Sequence, residues 1–361
     1  MKQQKTVVLG LSGGVDSALA ALLLKKQGYK VIGLFMQTFR EATNAKNPCK
    51  SNSAVTDEKM ARLVAKMLKI RFISRDYKKD YYTKVIKPMI NSYKKGLTPN
   101  PDTACNKIIK FPYLLKEAEK LKADYIATGH YARIKKTKEG YQLLAGRDKT
   151  KDQSYFLYEL DQKTLAKTLF PIGNLTKEQV RKIAKKHNFP NWDKPGTTGI
   201  CFLGKTPNIK SFLEKKIKQK KGKILSPEGK VLGTHPGTAY FTIGQKIQEK
   251  LGLVINKPRE YAQKRFYIAE KKKGNILIAA PEGHPSLLRN KLTISNFHKI
   301  NPSQAIPRSE LTARIRHLGE FNKGMLKGSV FTFQKPIEGI AEGQAIVLYH
   351  KEKVIGGGEI N

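Results

Sequence analysis

The chain has 361 residues, 39% of them hydrophobic, with 69 basic and 29 acidic side chains and a formal charge of +40 at neutral pH. This length exceeds what one core organises and points to two or three domains, and the apolar content excludes a disordered chain. The apolar run at 18–24 is far short of a membrane span, and residues 1–5 lead straight into the first predicted strand with no room for a signal peptide, so a cytoplasmic protein with no membrane partner is expected.

Strand-like and helix-like segments alternate over the first 130 residues. Apolar, β-branched runs predict strands over 6–11, 30–36, 71–74 and 124–128, and helix formers at 3.6-residue spacing predict helices over 17–27, 56–68, 77–94 and 105–121. This alternation predicts an α/β domain with a doubly wound parallel sheet, whose ligands bind at the carboxyl ends of the strands. Ser12–Ser17, Met36 and Thr128-Gly129-His130 all fall at such ends. Residues 132–146 predict a hairpin turning at Lys138-Glu139-Gly140, and 153–187 a helical stretch. After about residue 205 short β-rich pieces take over. The expected domains are 1–205, with a helical extension of the catalytic fold, then a central β-rich domain over 206–283. A β-barrel of six or so strands is expected over 284–361.

The most informative segment is Gly10-Leu11-Ser12-Gly13-Gly14-Val15-Asp16-Ser17, between the first strand and the first helix. Glycines on such a turn let the backbone approach a ligand, and the helix N–H groups beyond it attract an anion. The spelling is neither a P-loop, which needs Gly-Lys-Ser/Thr, nor the dinucleotide Gly-x-Gly-x-x-Gly. Ser-Gly-Gly-Val-Asp-Ser resembles the signature of the PP-loop (adenine nucleotide α-hydrolase-like) ATP pyrophosphatases at every position. That resemblance implies ATP cleavage between the α and β phosphates, with Mg²⁺ on the triphosphate.

The charge has two readings. It suits a polyanion such as RNA, yet 56 of the 69 basic residues are Lys, which an AT-rich genome also produces. The three cysteines, Cys49, Cys105 and Cys201, form no Cys-x-x-Cys pair, which excludes a zinc knuckle or a secreted disulfide framework. Pro99 and Pro101 hold the approach to Asp102 extended, Asp102 is the expected N-cap of the next helix, and Cys105 then sits beside unpaired N–H groups that would lower its thiol pKa. Spacing alone leaves two readings: a cap with a packed thiol, or an acid–base group beside a nucleophile. Cys201, in the loop Thr198-Gly199-Ile200-Cys201-Phe202, reads by spacing as a buried thiol.

Beyond the PP-loop, Gly33–Met36, Thr98–Cys105 with Asn106, Ala123–Tyr131, Lys151–Tyr158 and Thr198–Phe202 resemble, in order, the bacterial-type tRNA-specific 2-thiouridylases. The resemblance implies ATP-dependent 2-thiolation of the wobble uridine in lysine, glutamate and glutamine tRNAs. It implies ATP contacts from Gly10 to Ser17 and from Met36 and Gly129, with Asp16 a candidate Mg²⁺ contact. Asn100, Pro101 and Asp102 would meet the target base, with Asp102 as general acid or base. Cys105 would be the nucleophile and Cys201 the persulfide carrier, loaded by a cysteine desulfurase or relay protein. Lys151, Asp152, Gln153, Arg316 and His317 would contact tRNA, although His317 departs from the family's usual residue there. Cys49 is assigned no role. Alternatives are an amidotransferase- or ligase-type PP-loop enzyme and a non-catalytic RNA-binding protein with a nucleotide fold. Asp102, Cys105 and Cys201 could instead hold an iron–sulfur cluster.

Overall fold

The computed structural model describes residues 4–38, 53–196, 209–307 and 309–361, with side chains omitted for 53–55. Strand β1 (Thr6–Gly10) is wholly apolar at its centre and pairs in parallel with β2 (Lys30–Gln37), which pairs with β3 (Arg71–Asp76). On its other side β1 pairs with β4 (Tyr125–Ala127). Helix α1 (Val15–Lys26) crosses from β1 to β2 and buries eight of its twelve residues. Such a helix has almost no polar face, because it lies between the sheet and the helices beyond it. Helix α2 (Ser53–Met67) makes the next crossover.

Two further helical segments follow, α3 over 78–94 and α4 over 101–120. Each contains a π-helical turn, Tyr82–Ile86 in the first and Cys105–Lys110 in the second, and the two turns lie against each other. The second segment starts earlier than predicted. Asn100, and not Asp102, is its cap: the Asn100 side chain accepts from the N–H groups of Asp102 and Thr103 at 3.1 and 3.2 Å. Pro101, with φ already fixed and no N–H to satisfy, fills the first helical position. The amide of Cys105 therefore lies inside the helix and donates to the carbonyls of Pro101 and Asp102, which removes the unpaired N–H expected beside it.

The hairpin β5 (Ala132–Thr137) and β6 (Gly140–Ala145) forms with the expected turn. The helical run expected over 153–187 breaks up. It contains a 3-10 turn Ser154–Leu157, a short helix Gln162–Lys167, a fifth parallel strand β7 (Thr168–Leu169) beside β4, and helix α5 (Lys177–Lys186). Asp161 and Thr176 cap the two helices, so local capping chemistry divided what apolar periodicity joined. The resulting sheet has the order β3-β2-β1-β4-β7.

Helix α6 (Ile209–Lys216) leads into a five-stranded sheet of β8 (Gly222–Leu225), β9 (Val231–His235), β10 (Val254–Ile255), β11 (Phe266–Lys272) and β12 (Ile276–Pro281). Its core is shared with α3 and α4: Phe212, Ile224 and Ile268 pack in one cluster with Tyr81, Cys105 and Ile109. The last six strands are β13 (Leu288–Lys299), β14 (Leu311–Arg314), β15 (Asn322–Lys327), β16 (Val330–Glu338), β17 (Ala345–His350) and β18 (Lys353–Ile360). Because β13 pairs with both β16 and β18, these six close into a barrel. The hairpin β5–β6 is added at β18 through Leu144 and Lys353, so a piece of the first region extends the barrel sheet.

Candidate active site

The loop Gly10–Ser17 lies at the carboxyl end of β1, where the sheet order turns from β2 to β4 and a crevice forms. Gly13 has φ of +78°, and a Cβ there would collide with the Asp57 carbonyl, so the turn requires glycine. The two serines knit it: Ser17 Oγ accepts from the Ser12 N–H at 3.1 Å and donates to the Gly14 carbonyl at 3.1 Å. Among the described residues no side chain caps α1 at Gly14, so its first N–H groups, with the helix dipole, are placed to attract an anion. Leu11 and Val15 are core side chains, 1% and 2% exposed, so only their backbone can meet a ligand. Gly129 closes the cradle from β4. A Cβ on it would lie 2.8 Å from the Asp16 carbonyl carbon and from the Ser17 nitrogen. Met36 stands half-buried near the end of β2, where two core clusters meet.

Asp16 is committed elsewhere. Both its oxygens accept from Lys177 Nζ, at 2.6 and 2.7 Å, and Oδ1 also accepts from the Tyr131 hydroxyl at 2.7 Å. Burial, with the Asp16 charge beside it, pushes the Tyr131 hydroxyl upward and keeps it a donor. A carboxylate held by an ammonium and a phenol anchors α1 to α5 and does not fit the metal contact expected of it. Among the described residues no cluster of three metal-ligating side chains occurs. From the far side, Asn191 Nδ2 donates to the Gly13 carbonyl at 3.0 Å, and Lys194 pairs with Asp57.

Asn100, Pro101, Asp102 and Cys105 share the first turns of α4. Cys105 is 7% exposed and shares one core cluster with Val85 and Ile86 of the first π-helical turn and with Ile224 and Ile268 of the five-stranded sheet. Asn106 beside it donates to the Phe156 carbonyl at 3.1 Å. The same helix passes the PP-loop: Leu114 lies 3.7 Å from where a Cβ of Gly10 would stand. Leu114 is nine residues on from Cys105, at most roughly 14 Å along the axis. Cys201 and its loop, like Cys49, lie outside the described residues.

The segments expected to meet RNA come together, but two of their side chains face inward. Asp152 is not a surface contact. Its Oδ1 accepts from the N–H groups of Gly146 and Ser154, and its Oδ2 accepts from Arg314 at 2.7 Å. With both oxygens used inside the protein, the side chain has no surface to offer a ligand. Gln153 is likewise turned inward, accepting from the Tyr131 N–H at 3.0 Å. His317 donates to the Asp152 carbonyl at 3.0 Å and lies against Phe156, and burial lowers its pKa. Lys151 and Arg316 remain exposed on either side of this joint. Sequence reasoning missed Tyr131, Lys177, Asn191 and Arg314, whose partners lie more than a hundred residues away. No local pattern marks such pairs.

A parallel α/β sheet carrying this loop at its carboxyl edge defines an ATP-utilising PP-loop enzyme of the HUP class. Family profiles match residues 5–205 as a tRNA methyl transferase HUP domain, 210–280 as a tRNA methyl transferase PRC-barrel domain and 289–360 as an aminomethyltransferase beta-barrel domain. The tRNA-specific 2-thiouridylase MnmA 1 of Geobacillus kaustophilus is 40% identical over 99% of this chain and 96% of its own length. The MnmA enzymes of Nitrosomonas europaea and Staphylococcus epidermidis are 39% and 38% identical, each over 98% of this chain, covering 97% and 95% of their own lengths. The chain belongs to the tRNA-specific 2-thiouridylase family. These relatives span its full length, so neither an amidotransferase nor a non-catalytic RNA-binding protein is favoured. No described helix is long and apolar enough to cross a membrane.

Proposed function

We propose that this chain is a cytoplasmic sulfurtransferase that converts the wobble uridine of lysine, glutamate and glutamine tRNAs to 2-thiouridine. The observation that carries the reading is the course of α4, which bears Cys105 at one end and passes the PP-loop with Leu114. Activation and sulfur transfer need such adjacency. The methyl transferase wording of the family description names a reaction that needs no ATP cleavage, whereas this chain carries a complete PP-loop.

The uridine 2-oxygen attacks the α-phosphorus of ATP. The new O–P bond forms as the bond to the β-phosphate breaks, and pyrophosphate leaves on the α1 cradle. Asp102, on the turn capped by Asn100, takes the proton from the ring nitrogen. Mg²⁺ would travel with the triphosphate, since Asp16 is taken by Lys177 and Tyr131. Cys201, loaded as a persulfide by a sulfur-donor protein, attacks carbon 2 with its outer sulfur, and the new C–S bond displaces AMP together with the former 2-oxygen. Cys105 thiolate then attacks the inner sulfur of Cys201. The S–S bond breaks with its electrons going to the sulfur on the base, Asp102 returns the proton to the ring nitrogen, and a Cys105–Cys201 disulfide remains for a dithiol reductant to open. This route needs two thiols and no cluster ligand set. Unstacking the base into the crevice is the step that tRNA binding must supply. Lys151 and Arg316 hold phosphates of the tRNA, and Asp152, Gln153 and His317 position the joint between them.

The test is mass spectrometry of tRNA nucleosides after incubation with ATP, a persulfide donor and the protein. The expected result is 2-thiouridine in those three tRNAs with one pyrophosphate per thiolation. Its absence with an active donor would sink the reading.

A further inference from the structure

Lys110 closes the π-helical turn Cys105–Lys110, and its Nζ lies 3.3 Å from Nε2 of His130. Nδ1 of the same ring lies 2.8 Å from Thr128 Oγ1. Phe111 stacks on the imidazole at 5.9 Å and Phe170 meets it edge-on at 6.0 Å. Burial, and then the Lys110 charge, drive this imidazole well below its ordinary range, so it is neutral. A neutral ring beside an ammonium accepts at Nε2 and carries its proton on Nδ1, where it donates to Thr128. Among the described residues Lys110 pairs with no carboxylate, whereas Lys107 on the same turn reaches Glu159 at 2.6 Å.

The position of this cation follows from the course of α4. The chain leaves α4 at the amino edge of the sheet, where Asp124 N–H donates to the Thr6 carbonyl at 2.9 Å. The helix therefore descends from the carboxyl edge. Leu114 is level with Gly10, and Lys110 stands one turn above it, on the way to Cys105. His130 follows Gly129, where a Cβ would lie 2.8 Å from the Asp16 carbonyl carbon and the Ser17 nitrogen. One turn beyond Lys110, Asn106 is 3% exposed and its Oδ1 has no partner among the described residues. Lys110 thus stands between the phosphate loop and the nucleophile, and among the described residues its side chain meets a neutral ring and no carboxylate. A part-buried cation so held gains most when an anion arrives.

We propose that Lys110 is a catalytic residue that contacts the α-phosphate of the nucleotide, with His130 as its positioning residue. The inference rests on the adenylating reading above. The α1 cradle takes the departing pyrophosphate, and Lys110 meets the charge on the non-bridging α-oxygens while the base oxygen bonds to phosphorus. His130 fixes the ammonium by accepting from it without neutralising it.

The test compares binding of AMP and adenosine by calorimetry in the full-length protein, with pyrophosphate release measured on tRNA. In Lys110→Met, AMP affinity is expected to fall about tenfold while adenosine affinity is unchanged, as for one lost charge-assisted hydrogen bond. Pyrophosphate release should fall about 100-fold, with tRNA affinity within twofold of the parent. Lys110→Arg should restore most of the AMP affinity. Should Lys110→Met not fold, Lys110→Gln gives the same comparison. Unchanged AMP affinity, an equal loss for AMP and adenosine, or no AMP binding by the parent chain would overturn the proposal. A loss of tRNA affinity with AMP unaffected would place Lys110 on a tRNA phosphate and overturn it equally. If the parent binds AMP yet releases no pyrophosphate with tRNA, the adenylating reading fails, and the AMP–adenosine comparison still judges Lys110.

Discussion

The Asp152 carboxylate and the Arg314 guanidinium meet at 2.7 Å, 1% and 4% exposed, one from the PP-loop region and one from the barrel. Around them Ser154 Oγ lies 3.2 Å from the Tyr349 hydroxyl, and Tyr155 donates to the Ala345 carbonyl at 2.7 Å. The barrel is therefore fastened to the segment whose Phe156 carbonyl holds Asn106. Breaking a buried pair on one side strands a charge, at about 3–5 kcal/mol. Arg314→Met and Asp152→Asn are each expected to lower apparent stability by that order in urea unfolding. The double variant should lose less than the sum of the two. Full additivity would show that the two residues do not act as a pair.

The cysteines are expected to act after activation. Cys105→Ser and Cys201→Ser should each abolish 2-thiouridine formation and retain pyrophosphate release. A variant that loses both products together would place its thiol in the adenylation step.

Asn100 does two jobs, capping α4 and setting the turn that carries Asp102. Asn100→Ala should cost about 1 kcal/mol of stability through the lost cap, and Asn100→Asp much less. If the side chain also meets the base, Asn100→Asp should thiolate slowly despite near-parental stability. Equal activity of the aspartate variant and the parent would restrict Asn100 to capping.

Gly13 and Gly129 are held to glycine by different causes. Gly13→Ala must strain a φ of +78° and displace the Asp57 carbonyl. Gly129→Ala must push the start of α1 away from β4. Both should lose ATP binding at least tenfold, read by nucleotide titration, while tRNA affinity persists. Gly28, also at positive φ but with open space around it, is the control: Gly28→Ala should destabilise slightly and leave ATP affinity intact.

Lys271 makes stability depend on pH. Its Nζ donates to the Gly96 carbonyl at 2.8 Å, and burial pushes its pKa down to about 8, with the Glu342 charge acting against that. Between about pH 8 and the ordinary value of 10.5, the unfolded chain binds a proton that the folded chain has released. Stability from this group therefore rises with pH through that window, and below about pH 8 the buried charge is a standing cost. The Tm difference between Lys271→Met and the parent should be more favourable to the variant at pH 7 than at pH 10. A difference independent of pH would refute the shift.

Much of this was legible in the chain because its determinants are local. Thr6–Gly10, the two glycines and the apolar α1 lie within twenty-one consecutive residues, so strand, turn and helix announce one another. The helical reading of 153–187 failed because apolar spacing does not mark where Asp161 and Thr176 cap new helices. The cap of α4 was misplaced by two residues because Asn100, Pro101 and Asp102 all favour a helix start, and the φ preference of proline decided among them.

The sequence by itself determined the PP-loop, the parallel sheet that presents it, the β-rich half that follows and the family to which the chain belongs. The loop, the sheet and the β-rich half rest on contiguous residues whose backbone preferences and spacing point one way, and the family rests on the resemblance of its ordered motifs. Only the tertiary structure decided that Asp16 is spent on Lys177 and Tyr131, that Asp152 faces Arg314 and not solvent, and that Lys110 stands beside a neutral His130. Those assignments depend on which side chains compete for one carboxylate or one ring once distant segments are packed. That competition is settled by burial and distance, quantities no stretch of sequence contains.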